Sequence, residues 1–126
     1  MDHPKRLPDA EFEVMRAVWD MGEPVTSPMV AERLRLTMKE KIWKPQTIIT
    51  ILTRLEKKGF LSSVKNGKER EYTFQIGEEE YMAYEAGQFF SKFQNGSAAG
   101  FLKALYRDRK LEEKDLEELR QWLEEK

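Results

Sequence analysis

The 126-residue chain has no cysteine and a single histidine, His3. Without cysteine there is no disulfide scaffold, no thiolate-ligated zinc and no thiol nucleophile. One histidine close to the start of the chain leaves no material for a catalytic triad or a histidine-bound metal. No metal and no cofactor is therefore expected. No apolar run approaches the roughly 20 residues that a bilayer span requires. Met1-Asp2-His3-Pro4 also lacks the apolar stretch of a secretory signal. These absences predict a soluble, cytoplasmic protein that is not an enzyme.

What the chain does hold is charge and aromatic bulk. Charged residues make up 36% and apolar ones 40%, with seven Phe, four Tyr and three Trp. That is enough bulk for a packed core, so a disordered chain is excluded. The length fits one compact domain, or a small domain with an appendage. The net charge of −1 conceals a division. Residues 41–75 carry 8 basic against 3 acidic residues, whereas residues 76–126 carry 8 against 12. A basic working surface followed by a segment with another task is the natural reading.

Apolar spacing predicts a first helix over Asp9 to Asp20, with Phe12, Val14, Met15, Val18 and Trp19 on its stripe. Met21-Gly22-Glu23-Pro24 stops it, and Val25-Thr26 allows a very short strand. Ser27-Pro28 opens a second helix, with Ser27 as its cap. Pro45 opens a third, running to about Lys58, in which Ile48, Ile51, Leu52 and Leu55 form a core stripe. Gly59 closes it. Two extended runs follow, Phe60–Lys65 and Glu69–Gln75, joined across Asn66-Gly67 as a hairpin, because both residues tolerate positive φ. A fourth helix is expected from Glu78 to about Phe93, and Gln94 to Gly100 reads as a linker. A fifth helix over Phe101–Tyr106 and a last one opening near Leu111 complete the chain.

Three helices and a hairpin describe a winged helix-turn-helix, here a mainly α fold with a small β wing. That architecture places its third helix in the DNA major groove and its hairpin along the backbone. Gln46, Thr47, Thr50 and Arg54 are donors suited to base edges and phosphates, and Lys44 and Lys57 extend their face. No acidic residue is expected on that face, Glu56 lying to one side. Lys65, Lys68 and Arg70 bring positive charge to the wing. Residues 1–76 are thus expected to form the DNA-binding domain and 77–126 a helical dimerisation region. In the latter, Phe101, Leu102, Leu105, Leu116, Leu119, Trp122 and Leu123 are too many large apolar side chains for two short helices to bury. Each one left in water forgoes about 1.5–3 kcal/mol, and a second copy of the chain covers them most economically. Two other readings stand beside this one: a winged-helix adaptor that binds protein, and a small-molecule pocket formed by the aromatics of the fourth helix. The carboxylates of 78–80 and 112–118 have no nucleophile or basic partner spaced for catalysis.

The segment from Trp43-Lys44-Pro45-Gln46-Thr47-Ile48 through Arg54-Leu55-Glu56-Lys57-Lys58-Gly59-Phe60-Leu61 closely resembles the recognition helix of the penicillinase and methicillin-resistance repressors, the BlaI/MecI family. Glu11-Phe12-Glu13-Val14-Met15 with Trp19 resembles the family's first helix, and Leu116-Glu117-Glu118-Leu119 its last. The resemblance implies a homodimeric repressor of palindromic operators. It also implies release through a membrane sensor pathway that leads to cleavage near the fifth helix. The DNA-facing positions it carries over are Gln46, Thr47, Thr50 and Arg54. Ile49 stands where some relatives have arginine. Gly100-Phe101 stands where the β-lactam responders are cut at Asn-Phe, which speaks against a β-lactam signal. The copper-responsive branch uses C-terminal cysteines, which are absent.

Overall fold

The computed structural model describes residues 6–22, 24–93 and 96–126. His3, Glu23 in the first stop signal and Gln94-Asn95 at the start of the expected linker lie outside the described residues. Helix α1 spans Asp9–Met21, α2 Ser27–Thr37 and α3 Pro45–Lys57. Strands β1 (Leu61–Asn66) and β2 (Glu69–Phe74) form an antiparallel hairpin. Helices α4 (Glu78–Ser91), α5 (Ala98–Arg107) and α6 (Glu113–Glu124) follow. The winged helix-turn-helix expected from the sequence is the observed fold.

The chain divides into two compact units, one running to Glu85 and one from Ala86 to Lys126. The core of the first is built from Val14, Met15 and Val18 of α1, Val30 and Leu34 of α2, and Ile48, Ile51, Leu52 and Leu55 of α3. Phe60, Leu61 and Tyr72 close it from the hairpin. The Trp19 indole N–H donates to the Ile76 carbonyl at 2.9 Å and pins the strand exit to α1. Tyr81 of α4 is only 2% exposed, and its hydroxyl accepts from the Leu7 N–H at 2.7 Å. The core thus extends past Ile76 into the first turns of α4, where Tyr81 buries its ring.

Several boundaries move by a residue or more. Thr26, not Ser27, caps α2, its hydroxyl accepting from the Met29 N–H at 3.4 Å. Pro28 falls within the first turn either way. Val25 makes one bridge to Tyr72, with N–H···O distances of 2.9 and 2.7 Å, and adds an edge to the hairpin. The hairpin turn is Gly67-Lys68 rather than Asn66-Gly67, since Asn66 pairs with Glu69. Only Gly67 has positive φ, +69°, the glycine-first pattern of a type II′ turn. Helix α4 ends at Ser91 rather than Phe93.

In the second unit, α5 begins at Ala98, three residues before the expected start. Ser97 caps it, accepting from the Gly100 N–H at 2.9 Å. Ala98 to Gly100 are thus helix and not linker, as two alanines behind a serine cap favour. Glu112 precedes α6, and its N–H donates to the Asp115 carboxylate at 2.8 Å. No residue of α5 or α6 is buried.

Candidate nucleic-acid interface

At 100° per residue, α3 presents three faces. Ile48, Ile51, Leu52 and Leu55 are buried. Gln46, Thr47, Thr50, Arg54 and Lys57 fall on the opposite side, and all but the half-buried Thr50 are exposed. Gln46 Nε2 lies 3.5 Å from Thr50 Oγ1, so these two share a patch one turn apart. Lys44 stands exposed at the N-cap. Ahead of it, Lys41 Nζ sits 4.3 Å over the ring of Trp43, which packs on the core and fixes where α3 begins. At the other end, Lys58 Nζ reaches the buried Glu11 carboxylate of α1 at 2.5 Å. That pair ties the C-terminus of α3 to α1. Ile49, Thr53 and Glu56 form a flank of α3 between the buried and outward faces.

The wing is electrically two-sided. Pairing of Ser63 with Tyr72 and of Lys65 with Arg70 puts these four on one face of the hairpin, while Glu69 and Glu71 alternate onto the other. The expected basic residues Lys65, Lys68 and Arg70 are all exposed. Arg70 is not free, however. Its Nη1 donates to Ser63 Oγ at 3.0 Å, and the Ser63 hydroxyl lies 2.8 and 2.9 Å from the two carboxylate oxygens of Glu56. Between α3 and the wing runs a cleft of about 560 Å³, lined by Ser27, Ile49, Thr53, Glu56, Arg70 and Tyr72, with Lys68 and Glu69 at the wing's end. Glu56, expected to lie off to one side, lines this cleft. Its carboxylate accepts the Ser63 hydroxyl. Residue type alone does not single out Ser63. The alternation that places Ser63 beside Arg70 is visible in the sequence once the strand register is known.

The second unit shows a different surface. Phe101, Leu105, Leu116 and Leu119 are half-buried, while Leu102, Trp122 and Leu123 are exposed, the last two at 50% and 56%. Phe101 packs at 5.8 Å from Phe89 and 6.1 Å from Phe90, ring centre to ring centre. With Phe93, Ala104 and Leu105 they surround an open apolar hollow of about 500 Å³. The Gly100–Phe101 peptide lies in the first turn of α5. Among the described residues no group of His, Asp or Glu is arranged to hold a metal, and no helix is long and apolar enough to cross a membrane.

The sequence profile described as the penicillinase repressor matches residues 7–125. The chain belongs to the penicillinase repressor family. It is 34% identical to the penicillinase repressor of Bacillus licheniformis over 124 residues, covering 96% of this chain and 94% of that protein. It is 31% identical to the methicillin resistance regulatory protein MecI of Staphylococcus aureus strain N315, covering 95% and 94%. Among solved structures it is similar to the DNA-binding domain of the repressor BlaI, with a TM-score of 0.52 and 37% identity. It is also similar to the Bacillus licheniformis BlaI monomer solved in complex with the blaP half-operator, with a TM-score of 0.50 and 37% identity. Both cover 64% of this chain and 94% of the solved one. The family is one of DNA-binding regulators, not enzymes.

Proposed function

We propose that this member of the penicillinase repressor family is a transcriptional repressor that binds double-stranded DNA as a homodimer. In this reading Gln46, Thr47, Thr50 and Arg54 of α3 meet base edges of a palindromic operator. Lys44 and Lys57, with Lys65, Lys68 and Arg70 of the wing, meet phosphates. The observation that carries it is the outward stripe of α3, polar and basic along its length and flanked by the basic face of the wing. The likeness to a BlaI monomer in complex with a half-operator supports the same docking. Forked and amide donors on a major-groove helix give sequence readout, whereas lysines on a hairpin give position without sequence.

The homodimer rests on Phe101, Leu102, Leu105, Leu116, Leu119, Trp122 and Leu123, which α5 and α6 leave in water to varying degrees. A partner's side chains would fill the hollow beside Phe101. Release acts through this unit. A signal from a membrane sensor and protease pathway fits it, with Gly100–Phe101 as the bond to be cut. Since that bond is helical, the first turn of α5 must open before a protease can hold it in extended form. The place of action is the cytoplasm, where the operator is.

Selection of bound duplexes from a random library tests the central reading. The expected result is a palindrome whose half-sites lie one helical turn or a multiple apart. No enrichment, together with binding to DNA that ignores salt, would instead favour the adaptor reading, because phosphate contacts make affinity fall steeply with salt.

A further inference from the structure

Ser63 stands between two opposite charges. Its single hydroxyl proton can go only to the Glu56 carboxylate, while its lone pairs accept from Arg70 Nη1. None of the ion pairs among the described residues joins Arg70 to Glu56 directly. The chain thus inserts a neutral group where a guanidinium and a carboxylate would otherwise close on each other. Glu56 comes from α3, Ser63 from β1 and Arg70 from β2, so the relay joins α3 to both strands of the wing, and its two charged ends, Glu56 and Arg70, line the cleft. Beneath it lies the buried Tyr72, directly opposite Ser63 across the strands. Burial pushes the Tyr72 hydroxyl up, while Arg70 pulls it down and Glu56 pushes it up, so both charges act on the same floor.

We propose that Ser63 is a positioning residue, which holds Arg70 off Glu56 and so keeps the guanidinium available to a DNA phosphate running along the cleft between α3 and the wing. The inference rests on the DNA-binding reading above. One of the five guanidinium N–H groups is spent on the hydroxyl, which leaves four on an exposed side chain to donate elsewhere. A direct Arg70–Glu56 pair would be bidentate and would compete with the phosphate for the same donors. The serine therefore orients the arginine without consuming its charge.

The experiment measures the affinity of the full chain for a random-sequence duplex of about 30 base pairs, roughly three helical turns. Salt is varied between about 50 and 200 mM, and the slope of log K against log salt is read for each variant. Arg70→Gln is expected to make the slope shallower by about 0.9, the loss of one phosphate. Ser63→Ala is expected to produce the same loss although it removes no charge, and Ser63→Ala with Arg70→Gln no more than either alone. Ser63→Thr, which keeps the hydroxyl, should retain the original slope. Ser63→Ala with Glu56→Gln should restore it, because the carboxylate that captures Arg70 is gone. Thermal melts of each variant report whether the wing still folds. A Ser63→Ala slope equal to that of the original chain overturns the proposal, and so does a loss that Glu56→Gln fails to restore. If the original chain itself shows no salt-dependent binding, the DNA-binding reading falls, and the role of Ser63 with it.

Discussion

Tyr81 lies beyond the hairpin in acidic sequence, yet it joins the core through contacts that span the whole first unit. Its ring stands 5.6 Å from Phe60, 5.8 Å from Trp19 and 6.0 Å from Phe12, and its hydroxyl is the acceptor for the Leu7 N–H. Tyr81→Phe keeps the ring and strands that buried N–H, which costs about 1–3 kcal/mol. Thermal unfolding should show the loss. Burial also pushes the Tyr81 hydroxyl up to about 12 from its ordinary 10. Between these values the unfolded chain has released the proton and the folded chain still holds it, so stability falls as pH rises from 10 to 12. Tyr72 is raised in the same direction and adds to the decline. Denaturant titrations over that range should show a shallower decline for Tyr81→Phe, and an equal decline would remove Tyr81 as its source. Arg54 on the outward side of α3 and Lys68 in the turn of the wing offer a contrast of the same grain. Arg54→Ala should cost about 1–3 kcal/mol on a selected operator and relax one base per half-site, whereas Lys68→Ala should weaken all sequences alike. Uniform loss from both would make Arg54 a phosphate ligand.

Two helices end in the same hydrogen-bonding pattern with different residues at the critical position. After α3, Gly59 has φ +86°, its N–H reaches the Glu56 carbonyl at 3.0 Å, and the Phe60 N–H reaches Leu55 at 2.9 Å. After α5, Arg109 has φ +62°, its N–H reaches the Tyr106 carbonyl at 3.1 Å, and the Lys110 N–H reaches Leu105 at 2.9 Å. Both are complete Schellman ends, but a side chain in the left-handed region costs about 1–2 kcal/mol that glycine avoids. Arg109→Gly should therefore raise the melting temperature of the helical C-terminal unit, by a gain of about 1 kcal/mol once the looser unfolded chain is counted. A lower melting temperature, followed by far-ultraviolet circular dichroism, would mean that the Arg109 side chain makes contacts worth more than its strain. The same pair shows how much of the fold the sequence discloses. Gly59 announces the end of α3, and Pro45 its start, because each restricts or frees the backbone in a way no neighbour can override. Arg109 announces nothing, so the left-handed end of α5 is invisible from residue types, although the break between Tyr106 and Leu111 is read from the apolar spacing. Thr26 and Ser27 are both good caps, and Asn66-Gly67 and Gly67-Lys68 both good turns. There the packing of Val25 on Tyr72 and the strand register choose, at a distance that local preference does not reach. The outward stripe of α3 is legible because 3.6-residue spacing separates it from the core. The Glu56–Ser63–Arg70 relay is not, because it depends on register.

Across the whole molecule, the two units solve the burial problem in opposite ways. The first encloses its large side chains, with Val14, Met15, Ile48, Leu52 and Phe60 removed from solvent and Tyr81 as the late addition. Between Ala86 and Lys126 no described residue is buried, although Phe89, Phe93, Leu102, Tyr106, Trp122 and Leu123 are all large and apolar. Two short helices offer too little surface to cover them, and short helices draw most of their stability from tertiary packing. In the proposed homodimer a second copy of the chain would supply that packing symmetrically, since a two-fold interface uses the same patch twice. Trp122 is half exposed within one chain, so Trp122→Ala removes little that this chain's own fold uses. Leu119→Asp adds a charge that an apolar interface must desolvate without a partner. The pair of substitutions should shift the protein to monomer in sedimentation while the melting of the first unit stays unchanged. Each monomer keeps its α3 and wing, so binding to a half-site survives. Binding to a full palindrome should fall by about 10²–10⁴, because the second half-site is no longer presented at high effective concentration. A dimer that persists through both substitutions would place the interface elsewhere in the second unit, at Phe89 and Phe93. A monomer that still held the palindrome as tightly as the original chain would mean that pairing of the two copies contributes nothing to operator affinity.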